Sequence, residues 1–239
     1  MHVTGDRPLP LVGTTFAGSS LRAPAAESNV LSTDRIFEMV VPLLRGTAAR
    51  RRQVRRESFL AESVPSGAVV FLGDSITEVA PLNELFPDLP VVNRGIGWDT
   101  SLDVLNRLDE GLLDPSVVSL LIGTNDLHTS RTTKDPRGIV TRVETIVNRV
   151  RATAPGALLL VNGVLPRTTL YAPRLRKLNA HYRAIAERTD STYVDAWPAL
   201  ADVDGALRKE FTTDNLHLTP AGYAAWGAVL RPLLSRRTQ

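Results

Sequence analysis

The sequence predicts an α/β protein, a doubly wound sandwich built on a five-stranded parallel sheet. Two observations lead there. Five strand-sized apolar runs alternate with longer segments of helical spacing, and no internal repeat competes with that reading. The runs are apolar throughout rather than alternating with polar residues, as strands covered on both faces are. A chain of 239 residues with 43% hydrophobic content can fill one sizeable interior.

In chain order, residues 1–49 read as an N-terminal extension and 50–239 as the domain. The first 32 residues are rich in Pro, Gly, Ser, Thr and Ala without a period, as a strap or tail would be. Asp34 to Leu44 is apolar, but Pro42 interrupts a continuous helix there. Arg50 to Ser63 reads as a helix leading into the first strand. The strands are expected at Ala68 to Leu72, Pro90 to Asn93, Ser116 to Ile122, Ala157 to Val164 and Thr192 to Val194. Between them, Thr100 to Leu113 puts Leu102, Leu105, Leu108 and Leu112 on one helical face, and Gly138 to Val150 does so with Ile139, Val143, Ile146, Val147 and Val150. A further helix is expected from about Arg174 to Arg188, and a last one after Thr219-Pro220, an N-cap followed by proline at the first helical position.

Composition excludes several classes. With no cysteine, there is no disulfide scaffold, thiol nucleophile, cysteine-ligated zinc or iron-sulfur cluster. Met1 to Pro10 has no apolar core of a signal peptide, and the longest apolar runs, Val117 to Ile122 and Ala157 to Leu160, fall far short of the ~20 residues of a spanning helix. The expectation is a cytoplasmic protein without stable membrane insertion. The excess charge, +3, is concentrated locally, since RGTAARRRQVRR from Arg45 to Arg56 carries six arginines and no acid. Clustered arginines suit peripheral contact with an anionic surface. A solvated helix face is the simpler reading, and no aromatic residues interleave as stacking on nucleic acid would require, so no nucleic-acid partner is expected.

Ligands of an open parallel sheet bind outside the carboxyl ends of its strands, and three of those ends carry polar or glycine clusters. They are Gly73-Asp74-Ser75-Ile76-Thr77, Arg94-Gly95-Ile96-Gly97 and Gly123-Thr124-Asn125-Asp126. Ser75, just past a strand with Gly73 before it, is the candidate nucleophile; the alternative is that Ser75 or Asp74 only caps the next helix. A serine needs a base, and His217 is the candidate, with the Asp214 carboxylate three residues before it, just ahead of the last helix. His2 lies in the extension, His181 in a helix, and His128 lacks an obvious carboxylate. Gly95 and Asn125, with the Ser75 N–H, are candidates to hold an oxyanion; their ordinary readings are a turn glycine and a capping asparagine. A dinucleotide site at Gly95-Ile96-Gly97-Trp98 is a remote rival: it lacks the third glycine and follows the second strand rather than the first.

The blocks FLGDSITE, VVNRGIGWDTS, IGTNDL and DNLHLTPAGY, in this order, resemble the four signature blocks of the SGNH hydrolases, or GDSL-type esterases, over about Arg50 to Leu234. The resemblance implies a flavodoxin-like three-layer α/β/α sandwich and no metal or cofactor. It also implies a Ser75, His217, Asp214 triad acting through an acyl-enzyme on carboxylic esters, with an oxyanion hole of Ser75, Gly95 and Asn125. The spacing is similar to the branch holding platelet-activating-factor acetylhydrolase catalytic subunits and bacterial carbohydrate acetyl esterases, which implies short acyl groups on a small-molecule, carbohydrate or lipid ester. An acyltransferase, thioesterase or lysophospholipase on the same fold is the alternative. Trp98 stands where many relatives have a second glycine, so it is expected at the acyl pocket unless it packs under the next helix, and Asp74 is expected near the substrate.

Overall fold

The computed structural model describes residues 49–110, 112, 114–128 and 136–235. The expectations for the extension, including the Asp34 to Leu44 segment, lie outside these residues. A helix α1 over 49–61 precedes the first strand. The strands are β1 (Val69–Gly73), β2 (Val91–Gly95), β3 (Val117–Leu121), β4 (Leu158–Asn162) and β5 (Thr192–Val194). Helices α2 (Ser75–Glu78) and α3 (Leu82–Leu85) join β1 to β2, α4 (Ser101–Asn106) leads to β3, α5 (Pro136–Thr153) to β4 and α6 (Ala172–Arg188) to β5. Helices α7 (Trp197–Leu200) and α8 (Pro220–Leu234) complete the domain.

All five strands run parallel in the order β2-β1-β3-β4-β5. Because successive residues of a strand point to opposite faces, β1 feeds two cores. Val70 and Leu72 join Val118, Leu120, Leu159 and Val161 beneath α4, α5 and α6. Val69 and Phe71 join Val117, Leu121 and Leu160 beneath α3, α7 and α8, where Trp226 is wholly buried. The chain leaves β1 toward β2 on one face and returns to β3 on the other. A crevice at the switch point between β1 and β3 follows from that topology. No helix of the described residues is long and apolar enough to cross a membrane.

The expected faces hold for α5, whose Ile139, Val143, Ile146, Val147 and Val150 are all buried. Thr219 caps α8 as expected, its side chain accepting from the Gly222 N–H. The expected leucine face of Thr100 to Leu113 holds for Leu108 and Leu112, which are buried, and for Leu105, which packs against the same core, and fails at Leu102. Helix α4 ends at Asn106 and a 3₁₀ turn over Leu108–Glu110 follows; the first turn of α4 buries Ser101 and Val104 while Leu102 is half exposed. The break coincides with Arg107, whose guanidinium turns inward to Asp99 and to the carbonyls of Gly73 and Arg94. Nor is the arginine run simply a solvated face: Arg51, Arg52 and Arg55 each bond a residue of the domain.

Candidate active site

The serine is presented by a turn with no room for side chains beneath it. A Cβ on Gly73 would lie 2.2 Å from Thr77 Oγ1 and 2.4 Å from the Leu121 carbonyl, so only glycine lets α2 start directly on the end of β1. Asp74 caps that helix, its Oδ1 accepting from the Ile76 N–H at 3.0 Å. Ser75, the first helical residue, points its Oγ to His217 Nε2 at 2.9 Å. His217 Nδ1 lies 2.7 Å from Asp214 Oδ2. The carboxylate therefore takes the Nδ1 hydrogen and leaves Nε2 as the acceptor for the serine hydroxyl.

Local bonds build the Asp214–His217 turn. Asp214 Oδ1 accepts from the backbone N–H groups of Leu216 at 3.0 Å and His217 at 2.8 Å, and Asn215 takes the left-handed conformation, φ 62°, which asparagine tolerates well. Pro220 then starts α8, and one turn on, Tyr223 donates its hydroxyl to the Ile76 carbonyl at 2.6 Å. That bond ties the histidine-bearing segment to the serine-bearing helix across 147 residues of sequence. Partial burial pushes the Asp214 carboxyl upward, but the hydrogen bonds from His217 and Leu216 outweigh it and hold the group below its usual range. At Asp74 burial wins: with its carboxyl sealed among buried Asp99 and Asp126, it is pushed up to about 7 despite the Ile76 N–H.

The oxyanion side differs from expectation at one residue. Asn125, 5% exposed, donates Nδ2 to the Asp99 carbonyl at 3.0 Å, which uses one of its two amide hydrogens, and it lines the cleft beside Ser75 and His217. Gly95 does not line it. Its N–H is taken by Asn93 Oδ1 at 2.9 Å, and a Cβ there would lie 2.2 Å from the Glu78 nitrogen. Gly95 is a packing glycine that lets α2 lie against β2, which corrects the expected oxyanion role. The segment reaching the cleft is Gly97–Trp98. Trp98 lines the opening with φ 68°, a conformation that costs most residues about 1 kcal/mol and that glycine takes freely. Asp74, 1% exposed, is a cap behind the serine and not a wall of the cleft, so the expectation of a substrate contact is corrected as well.

His181 is exposed on α6, and the His128 side chain lies outside the described residues. The N-terminal turn of α4 is occupied by the protein's own groups, with the Ser101 N–H on Asp126 Oδ2 at 2.8 Å and Thr100 in a capping box with Asp103. That leaves the glycine segment before it without the open N–H groups that a dinucleotide phosphate needs. Sequence reasoning missed Glu78 and Arg51, which line the cleft 3.1 Å apart, with Glu78 Oε2 also accepting from the Gly97 N–H. Glu78 falls one turn of helix after Ser75, and that spacing was the available signal.

Fold and cleft together define an α/β enzyme acting on esters. The chain belongs to the GDSL-like lipase/acylhydrolase family, whose profile it matches over residues 71–225. It is 34% identical over 179 residues to platelet-activating factor acetylhydrolase IB subunit alpha1 of Rattus norvegicus, a match covering 70% of this chain and 75% of that one. A solved Streptococcus pneumonia protein named for platelet activating factor is 29% identical with a TM-score of 0.74, over 82% of this chain and 98% of the other. A GDSL-like lipase from Bacteroides thetaiotaomicron shares the fold at 23% identity and a TM-score of 0.68, over 79% of this chain and 98% of the other.

Proposed function

We propose that the chain hydrolyses short-chain carboxylic esters through Ser75, His217 and Asp214. The observation that carries the proposal is the chain of hydrogen bonds from Ser75 Oγ to His217 Nε2 at 2.9 Å and from His217 Nδ1 to Asp214 Oδ2 at 2.7 Å. Ser75 Oγ attacks the ester carbonyl as its proton passes to His217 Nε2. Asp214, held ionised by its hydrogen bonds, stabilises the imidazolium and fixes its tautomer. The negative oxygen of the tetrahedral intermediate is held by the Ser75 N–H and the second Asn125 amide hydrogen, donors already in place before charge develops. Collapse of the intermediate expels the alcohol, which takes the proton from His217 and leaves Ser75 acylated. Water, deprotonated by the same nitrogen, then attacks the acyl carbonyl and releases the acid.

The cleft supports a small acyl group. Its volume is about 180 Å³, with Trp98 and Val79 among its walls, below the ~300 Å³ at which pockets for drug-sized ligands begin. An acetyl ester agrees with the name of the rat relative. The test is hydrolysis of p-nitrophenyl esters from acetate to octanoate by the native chain and by Ser75→Ala. Turnover should be highest for acetate and vanish in the variant. Turnover that persists in Ser75→Ala would overturn the serine mechanism, and a maximum at octanoate would overturn the short-chain assignment.

A further inference from the structure

Three arginines of α1 reach the β2–α4 segment and Glu78, which flank the cleft. Arg55 Nε donates to the Gly95 carbonyl at 3.2 Å. Arg52 Nε donates to Asp99 Oδ1 at 2.9 Å. Arg51 bonds Glu78, which in turn accepts from the Gly97 N–H. Residues 51, 52 and 55 share one side of a helix, and Phe59, a turn further on, seats that side in the domain with the guanidinium groups of Arg94 and Arg55 stacked on its ring at 4.7 and 4.9 Å. The helix precedes the residues that the family profile matches, so the contact comes from outside that shared core.

Asp99 is the junction. Its side chain is fully buried and gripped from both oxygens, Oδ1 by Arg52 and Oδ2 by Arg107 Nε at 2.6 Å. Its backbone carbonyl accepts the Asn125 amide at 3.0 Å. The plane of that amide is set by the carbonyl, and the carbonyl belongs to a residue held by two guanidinium groups.

We propose that α1 is a positioning clamp for the cleft, with Arg52 acting through Asp99 to aim the Asn125 amide at the oxyanion. The proposal rests on the hydrolytic reading above and adds a residue to it. A hydrogen bond to developing charge is sensitive to placement, and an error of about 1 Å can cost ~10²-fold in rate. Removing Arg52 leaves the Arg107–Asp99 pair in place, so the carboxylate keeps a buried partner and the loss falls on aim rather than on folding. Arg52 touches no reacting atom; it is a positioning residue.

The experiment is a double-mutant cycle on the full chain with p-nitrophenyl acetate, using Arg52→Gln, Asn125→Ala and the pair, with Arg52→Lys and Ser75→Ala alongside. Arg52→Gln should lower kcat about ten-fold with KM within about two-fold, the pattern of an interaction that matters in the transition state. Asn125→Ala should lower kcat by ~10²–10³, and adding Arg52→Gln to it should cost less than about two-fold more, because the amide through which Arg52 acts is gone. Arg52→Lys keeps one donor for Asp99 and should recover most of the rate. Should Arg52→Gln melt below the assay temperature, Arg52→Met, which keeps the apolar stem and removes the donor to Asp99, carries the cycle in its place. An unchanged kcat, or the same fold-loss with and without the Asn125 amide, overturns the clamp. Turnover that survives in Ser75→Ala overturns the hydrolytic reading instead.

Discussion

Asp74 and Asp214 stand in the same local turn and differ in chemistry. Each offers Oδ1 to the backbone N–H two residues on, Ile76 in one case and Leu216 in the other, both at 3.0 Å. Asp74 is sealed in the interior, and burial, with Asp99 and Asp126 adding repulsion, pushes it up to about 7. Asp214 is half exposed and bonded to His217 through both ring and backbone, which hold it ionised. The first is a cap that keeps its proton to near neutrality; the second is a carboxylate whose proton is held less tightly than usual, beside an imidazole. Sequence spacing writes the turn, and the surroundings decide which of its carboxylates can support a positive charge.

The largest break in this comparison comes from Asp214→Asn. The asparagine Oδ1 still accepts from Leu216 and His217 N–H, so the turn should keep its shape, but an amide NH₂ faces Nδ1 where a carboxylate oxygen stood. The ring is then held with its hydrogen on Nε2, and Ser75 loses its base. We expect kcat to fall by ~10³–10⁴ with KM little changed, as when the acid of such a triad is replaced by its amide. A loss under ten-fold at unchanged far-UV circular dichroism would mean that Asp214 shapes the turn and does no more.

Trp98 asks the same question of a third turn. Its φ of 68° is a local demand for glycine, and its place at the mouth of the cleft belongs to the surroundings. Trp98→Gly satisfies the local demand and opens the wall. The ratio of kcat/KM for octanoate over acetate should rise at least about ten-fold, the scale on which apolar pockets discriminate by chain length. An unchanged ratio would mean that the ring does not bound the acyl site.

These positions also mark how far the sequence could be read. The Asp214–His217 pair was legible because its bonds close within three residues, and the serine turn because Gly73, Asp74 and Ser75 are contiguous. The five parallel strands were legible because continuous apolar runs have few other uses. Gly95 was misread because its role is decided by α2 packing above it and by Asn93 beneath it, neither of which its own motif states. The arginines of α1 were misread for a stronger form of the same reason: their partners lie 27, 47 and 40 residues away, at Glu78, Asp99 and Gly95. The leucine face failed at Leu102 alone, because the first turn of α4 buries Ser101 and Val104 and turns Leu102 outward.

The finest test returns to Asp74 and measures stability rather than rate. In the unfolded chain its carboxyl ionises near pH 4, as an ordinary aspartate does, while in the folded protein it holds its proton to about 7. Between those values the native state binds more protons than the unfolded state, so this group's contribution to stability falls as pH rises, and the loss is complete above about 7. Asp74→Asn keeps an acceptor for the Ile76 N–H and removes the titration. Its melting temperature relative to the native chain should therefore climb from pH 4 to pH 7 by about ten degrees and then level off, on the scale of about 2–4 °C per kcal/mol in a chain of this size. A difference that stays flat across that range would place Asp74 with Asp214, as a carboxylate its neighbours keep ionised. A difference that shrinks with rising pH would mean that the buried charge is favoured by groups other than the Ile76 N–H.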